Sequence, residues 1–115
     1  MTRLAHLFPS MKDAPGVEPW DVDRFLGWAC DARSDVTGVG FHVVRFLLQV
    51  WGCRTSWRDV ATSQGLDGSH LEPFNVVQAC ATWDEAHRLA FLSWVEVPFY
   101  SFNGRGRSAG SPVER

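Results

Sequence analysis

The chain has 115 residues, of which 45% are hydrophobic and 21% charged, with a formal net charge of −2; this is ordinary usage for one globular domain and excludes wholesale disorder. Without residues 103–115, which hold three Arg and one Glu, 8 basic residues stand against 12 acidic ones, and a body of that sign is a poor match for nucleic acid. Cys30, Cys53 and Cys80 are widely spaced with no CxxC pair, which argues against a disulfide framework or a zinc knuckle and for free thiols.

No apolar run approaches the roughly 18 residues that a bilayer span needs. Pro9 and Lys12 also interrupt the N-terminal region before signal-peptide length is reached. The expectation is a cytoplasmic protein with no membrane segment.

In chain order, residues 1–17 contain Pro9, Pro15 and Gly16 and read as an irregular arm, with Leu4, Leu7 and Phe8 available to pack onto the body. A first helix is predicted from Pro19 to about Arg33, because proline suits the first helical position and Asp21 and Asp23 suit the positive end of the helix dipole. Val22, Phe25, Leu26 and Ala29 share one side of it, and Trp28 points about 120° away from Val22.

The segment SDVTGVG then turns the chain into a helix over 38–52, closed by Gly52. Within it, the only polar residues of FHVVRFLLQVW are His42, Arg45 and Gln49, which occupy an arc of roughly 60°. A helix apolar on all other sides belongs in the middle of a core.

A short helix follows from Ser56 to Gln64, with Ser56 and Asp59 in capping-box-like spacing and Gly65 as its stop; GLDGSH is a turn. From Pro73 to Val97 the phases agree with one long helix. Val76, Cys80, Trp83, His87, Ala90, Phe91 and Trp94 fall within about 100° of one another. Thr82 and Glu85 offer an alternative start for a separate helix as a capping box, and Pro98 ends the segment either way. Phe99, Tyr100 and Phe102 form an aromatic coda, and 103–115, rich in Gly, Ser and Arg, read as a disordered tail. With no repeat and no strand-type alternation, the expected fold is all-α. It is one domain over 1–102, a bundle of three or four helices with a central apolar helix and one long C-terminal helix.

Three groups of residues are candidates for chemistry. Cys80, Asp84 and His87 stand at i, i+4 and i+7 and can face one direction, as metal ligands or as a thiol with a nearby base. The structural alternative is a bonded core histidine, with Asp84 paired to Arg88. His42 and Arg45 either line a polar pocket for a carboxylate or phosphate or lie along a narrow solvated edge.

Finally, Ala61, Gly65, Leu66, Leu71 and Phe74 in DVATSQGLDGSHLEPF are spaced as in the helix-turn-helix signature, which this stretch resembles. The resemblance implies a DNA-binding regulator using 56–74. Pro73 and the lack of Arg or Lys from Asp67 to Asn75 weigh against it, since duplex binding depends on basic side chains.

Six tryptophans exceed what a small helical core commonly uses, and Trp is enriched at binding hot spots. Trp28 and Trp57, with Phe99 and Tyr100, are the candidate exposed patch. The leading expectation is therefore a binding protein rather than an enzyme. It would work without a cofactor and use aromatic residues to hold another protein or a second copy, its acidic surroundings favouring a basic partner.

Overall fold

The computed structural model describes residues 1–31, 33, 34 and 36–98, and every regular element among them is helical. The elements are α1 (Thr2–Ala5), a 3-10 turn (Pro9–Met11), α2 (Val22–Ala29), α3 (Gly38–Trp51), α4 (Trp57–Ser63), α5 (Val76–Thr82) and α6 (Glu85–Glu96). The all-α expectation holds. No helix of the described residues is long and apolar enough to cross a membrane.

The structure is organised around α3. Thr37 caps it by accepting the Gly40 amide at 3.3 Å, and Gly40, His42, Val43, Val44, Phe46, Leu47, Leu48 and Val50 are all buried. At 100° per residue those positions take in all of the cylinder except the strip of Phe41, Arg45 and Gln49, where Gln49 is exposed, so neighbours must cover α3 on every other side. The N-terminal arm supplies one of them. Far from being peripheral, it buries Leu4, Phe8, Met11 and Val17 almost completely. Phe8 lies 5.7 Å, ring to ring, from Phe46 on α3, and Thr2 Oγ1 donates to the Val17 carbonyl, tying the arm's two ends together.

Two boundaries differ from the sequence-based prediction. Helix α2 starts at Val22 rather than Pro19 and ends at Ala29. Asp21 is the extended cap, its carboxylate accepting the amides of Asp23 and Arg24. At the far end, Asp31 accepts the Arg33 amide at 2.9 Å, a local side-chain bond that competes with helix continuation.

The second correction is larger: the helix expected over 73–97 is two. Trp83 is extended (φ −67°, ψ 145°), and Asp84 opens α6 by accepting the His87 amide at 3.0 Å. The Thr82–Glu85 alternative had the split right but not the cap, because the Thr82 hydroxyl bonds back to Gln78 O at 2.9 Å. The break turns the Trp83 side chain into the core, where it is 2% exposed and its indole N–H donates to Val39 O at 3.1 Å. Helix α4 is capped as predicted, by Ser56 on the Asp59 amide, and Gly65 ends it at φ 77°.

Candidate functional site

Connector 66–75, between α4 and α5, roofs the polar stripe of α3. Arg45 Nε donates to His70 O at 2.8 Å and its Nη2 pairs with Glu72 at 2.9 Å. Gln49 Oε1 accepts the Phe74 amide at 3.2 Å. From α4, Arg58 reaches Gly68 O and Ser69 O at 3.4 and 3.0 Å. These side chains bond four of the connector's backbone groups, which stand in for helical hydrogen bonds there.

Residues 66–75 accordingly form no helix, and the second helix that the helix-turn-helix resemblance implies is absent. Arg45 and Arg58 both bond the connector's own carbonyls. Beneath lies a cleft of about 260 Å³ lined by Arg45, Gln49, Trp57, Arg58, Glu72 and Phe74 among others. Of the two alternatives for Arg45, a polar pocket for a carboxylate or phosphate and a solvated edge, the first would have to displace Glu72, whose carboxylate already pairs with the guanidinium.

His42 does not line this cleft. It is 8% exposed, and its pKa is lowered from 6.5, first by burial and then by the Arg45 guanidinium, with Glu72 opposing. The folded chain therefore favours the neutral ring more than the unfolded chain does. The resulting stability is complete above about pH 6.5 and is lost as pH falls through the lowered folded value. Urea denaturation at several pH values is expected to show a flatter slope of stability against pH in that window for His42→Gln than for the native chain.

His87 is the second buried histidine, at 4% exposure. Its Nδ1 lies 2.7 Å from Asp84 Oδ1, and its Nε2 lies 2.9 Å from the hydroxyl of Ser10, whose amide is 3.4 Å from the same nitrogen. The rings of Phe8 and Trp83 hold the imidazole at centroid distances of 6.2 and 6.3 Å. The bonds from His87, its backbone amide first, lower the Asp84 pKa from 3.8, so this carboxylate is ionised at neutral pH.

Asp84 and His87 thus meet as their spacing predicted, with Ser10 rather than Cys80 as the third partner. Among the described residues no three His, Cys, Asp or Glu side chains stand close enough to hold a metal ion. Arg88 bonds the Trp83 carbonyl. Sequence reasoning missed Ser10, since no local pattern relates it to a residue 77 positions away.

Of the candidate patch, Trp28 is half-buried with its ring 5.9 Å from Phe25. Trp57 donates its indole N–H to Leu48 O at 2.9 Å. Phe99 and Tyr100 lie outside the described residues. Among the described residues the exposed large apolar side chains are elsewhere: Val76, Val77, Leu89, Leu92, Val95 and Val97, all on or beside α5 and α6.

On α6, His87, Ala90, Phe91 and Trp94 face inward, while Glu85, Leu89, Leu92 and Glu96 run along the opposite side. Leu89 and Leu92 are each 57% exposed between the two carboxylates. Comparison with protein-family models, with curated proteins and with solved structures finds no match for this chain.

Proposed function

We propose that this protein acts by binding another protein, and that the outer face of α6 receives a basic amphipathic helix of that partner. The supporting observation is the stripe Glu85–Leu89–Leu92–Glu96: two exposed leucines flanked at both ends by exposed carboxylates on the side of α6 that no other described element covers. Apolar anchors at helical spacing suit a helix laid along them. The terminal carboxylates favour Lys or Arg beyond those anchors.

A second copy is the less suitable occupant. In a two-fold antiparallel pairing of α6 with itself, Leu89 meets Leu92 of the partner subunit, but Glu85 then meets Glu96 of the partner subunit and like charges oppose at both ends.

The probe is a labelled helical peptide with Leu at i, i+3 and i+7 and Lys at both ends, followed by fluorescence anisotropy. Leu89→Lys with Leu92→Lys is expected to weaken its binding at least about 100-fold, since two leucine contacts are together worth about 3 kcal/mol or more. The unfolding midpoint should hardly move, because both side chains are already in water. Equal binding of a peptide with Glu in place of Lys would refute the choice of partner. Concentration-dependent dimerisation lost in the double variant would assign the face to a second copy.

A further inference from the structure

We propose that Ser10 is an acyl-accepting nucleophile toward small activated carboxylic esters, with His87 as its general base and Asp84 as the residue that positions the base. The hydrogen bonds assign the imidazole tautomer. Asp84 is ionised and can only accept, so Nδ1 carries the proton; the Ser10 amide donates to Nε2 at 3.4 Å, so that nitrogen is an acceptor, and the Ser10 hydroxyl at 2.9 Å shares its lone pair at the shorter distance. A hydroxyl donating to an imidazole that in turn donates to a carboxylate is the arrangement by which serine is activated on unrelated folds.

Helix capping alone does not account for the constellation. The cap requires only Asp84 and the His87 amide, at 3.0 Å, whereas the imidazole extends the chain of bonds to a serine on another element. Accessibility is matched to the roles: Ser10 is exposed, while His87 is buried against the contacting rings of Phe8 and Trp83. The base is therefore held in place before any substrate arrives, and the nucleophile faces water. The cleft under the connector includes none of Ser10, Asp84 and His87 in its lining. Selection at Ser10 thus rests on the reactivity and small size of the ester rather than on enclosure.

In the acylation step Ser10 Oγ bonds to the ester carbonyl carbon and its proton passes to His87 Nε2. The carbon–oxygen bond to the leaving group breaks, and the leaving oxygen departs with the proton from Nε2 or, when it is a weak base, as the anion, in which case the proton goes to solvent. Water then attacks the acyl-serine carbonyl, gives one proton to Nε2, and releases the carboxylic acid as Ser10 Oγ recovers that proton.

The test uses the full chain and p-nitrophenyl acetate, following nitrophenolate release and mapping the acetyl group by peptide mass spectrometry. Acetyl on Ser10 is expected in the native chain. Ser10→Ala should slow release at least about 100-fold, the scale of general-base assistance to a positioned hydroxyl. Asp84→Asn keeps the one oxygen that accepts both the His87 amide and Nδ1–H but loses the charge that stabilises the imidazolium formed when Nε2 takes the proton; it should lower kcat at least about 10-fold with KM unchanged and helicity preserved. Acetyl on Lys12 or Cys53 with Ser10 unmodified overturns the proposal, and this map on the native chain decides even if a variant misfolds. Undiminished release in Ser10→Ala, or an unchanged kcat in Asp84→Asn, overturns it as well.

Discussion

Trp83→Ala is expected to destabilise the fold by about 3–5 kcal/mol, the usual cost of truncating a buried aromatic to alanine. The ring is 2% exposed and lies between 5.6 and 5.9 Å, centroid to centroid, from Phe8, Phe74 and Phe91. These neighbours come from the arm, the connector and α6, so one cavity loosens three covers of α3 at once. Against a total stability of about 5–15 kcal/mol for a domain of ordinary size, the loss is about a fifth or more. Urea denaturation with an unchanged m-value measures it.

Trp83→Phe separates the two contributions of this side chain. It retains most of the packing and removes the indole bond to Val39 O at 3.1 Å, which by itself is worth about 1 kcal/mol. A Trp83→Ala loss below 1 kcal/mol would mean that the ring does not organise the core.

The second large effect is expected at Gly16, with Gly65 as its control. Both have a left-handed backbone, at φ +80° and +77°, so alanine at either meets the same steric penalty of about 1–2 kcal/mol. Space distinguishes them. A Cβ at Gly16 would stand 2.4 Å from Phe25 N and 2.7 Å from Asp21 O, whereas nothing lies within 4 Å of one at Gly65.

Gly16→Ala must therefore displace the first turn of α2, together with the Asp21 amide that bonds Gly16 O at 2.8 Å. Its cost should be on the order of 3 kcal/mol or more, against about 1–2 kcal/mol for Gly65→Ala. Denaturation midpoints of the two variants make the comparison directly. Equal losses would mean that α2 does not approach the arm this closely in solution.

Much of the architecture was legible because it is local. The near-total apolar surface of α3 and its narrow stripe of His42, Arg45 and Gln49 announced a central helix, and the structure buries that helix on every side but the strip where Gln49 is exposed. Ser56 and Gly65 marked the ends of α4 through capping preferences that operate within a few residues. The spacing of Asp84 and His87 likewise placed them together.

What escaped the reading has a common cause. The apolar residues Val76, Cys80, Trp83, His87, Phe91 and Trp94 keep a common helical phase across Trp83 and Asp84, so periodicity registered no interruption where the chain in fact turns extended and leaves Val76 exposed. The arm lacks periodicity, so its pattern offered Leu4, Leu7 and Phe8 to the body but gave no measure of depth, and Phe8 and Met11 are fully buried. The resemblance at 56–74 followed apolar spacing, while the conformation of the connector depends on Arg45 and Gln49 more than twenty residues away.

Taken alone, the sequence determined the helical class, the position of α3 at the centre, and the caps of the short α4, since each depends on propensities and side-chain phases within one or two turns. The tertiary structure decided where the C-terminal segment breaks, that the arm belongs to the core, and that Ser10 faces His87. Those outcomes are set by which distant surfaces exclude water together, and a one-dimensional pattern carries no record of which distant residue will fill a given space.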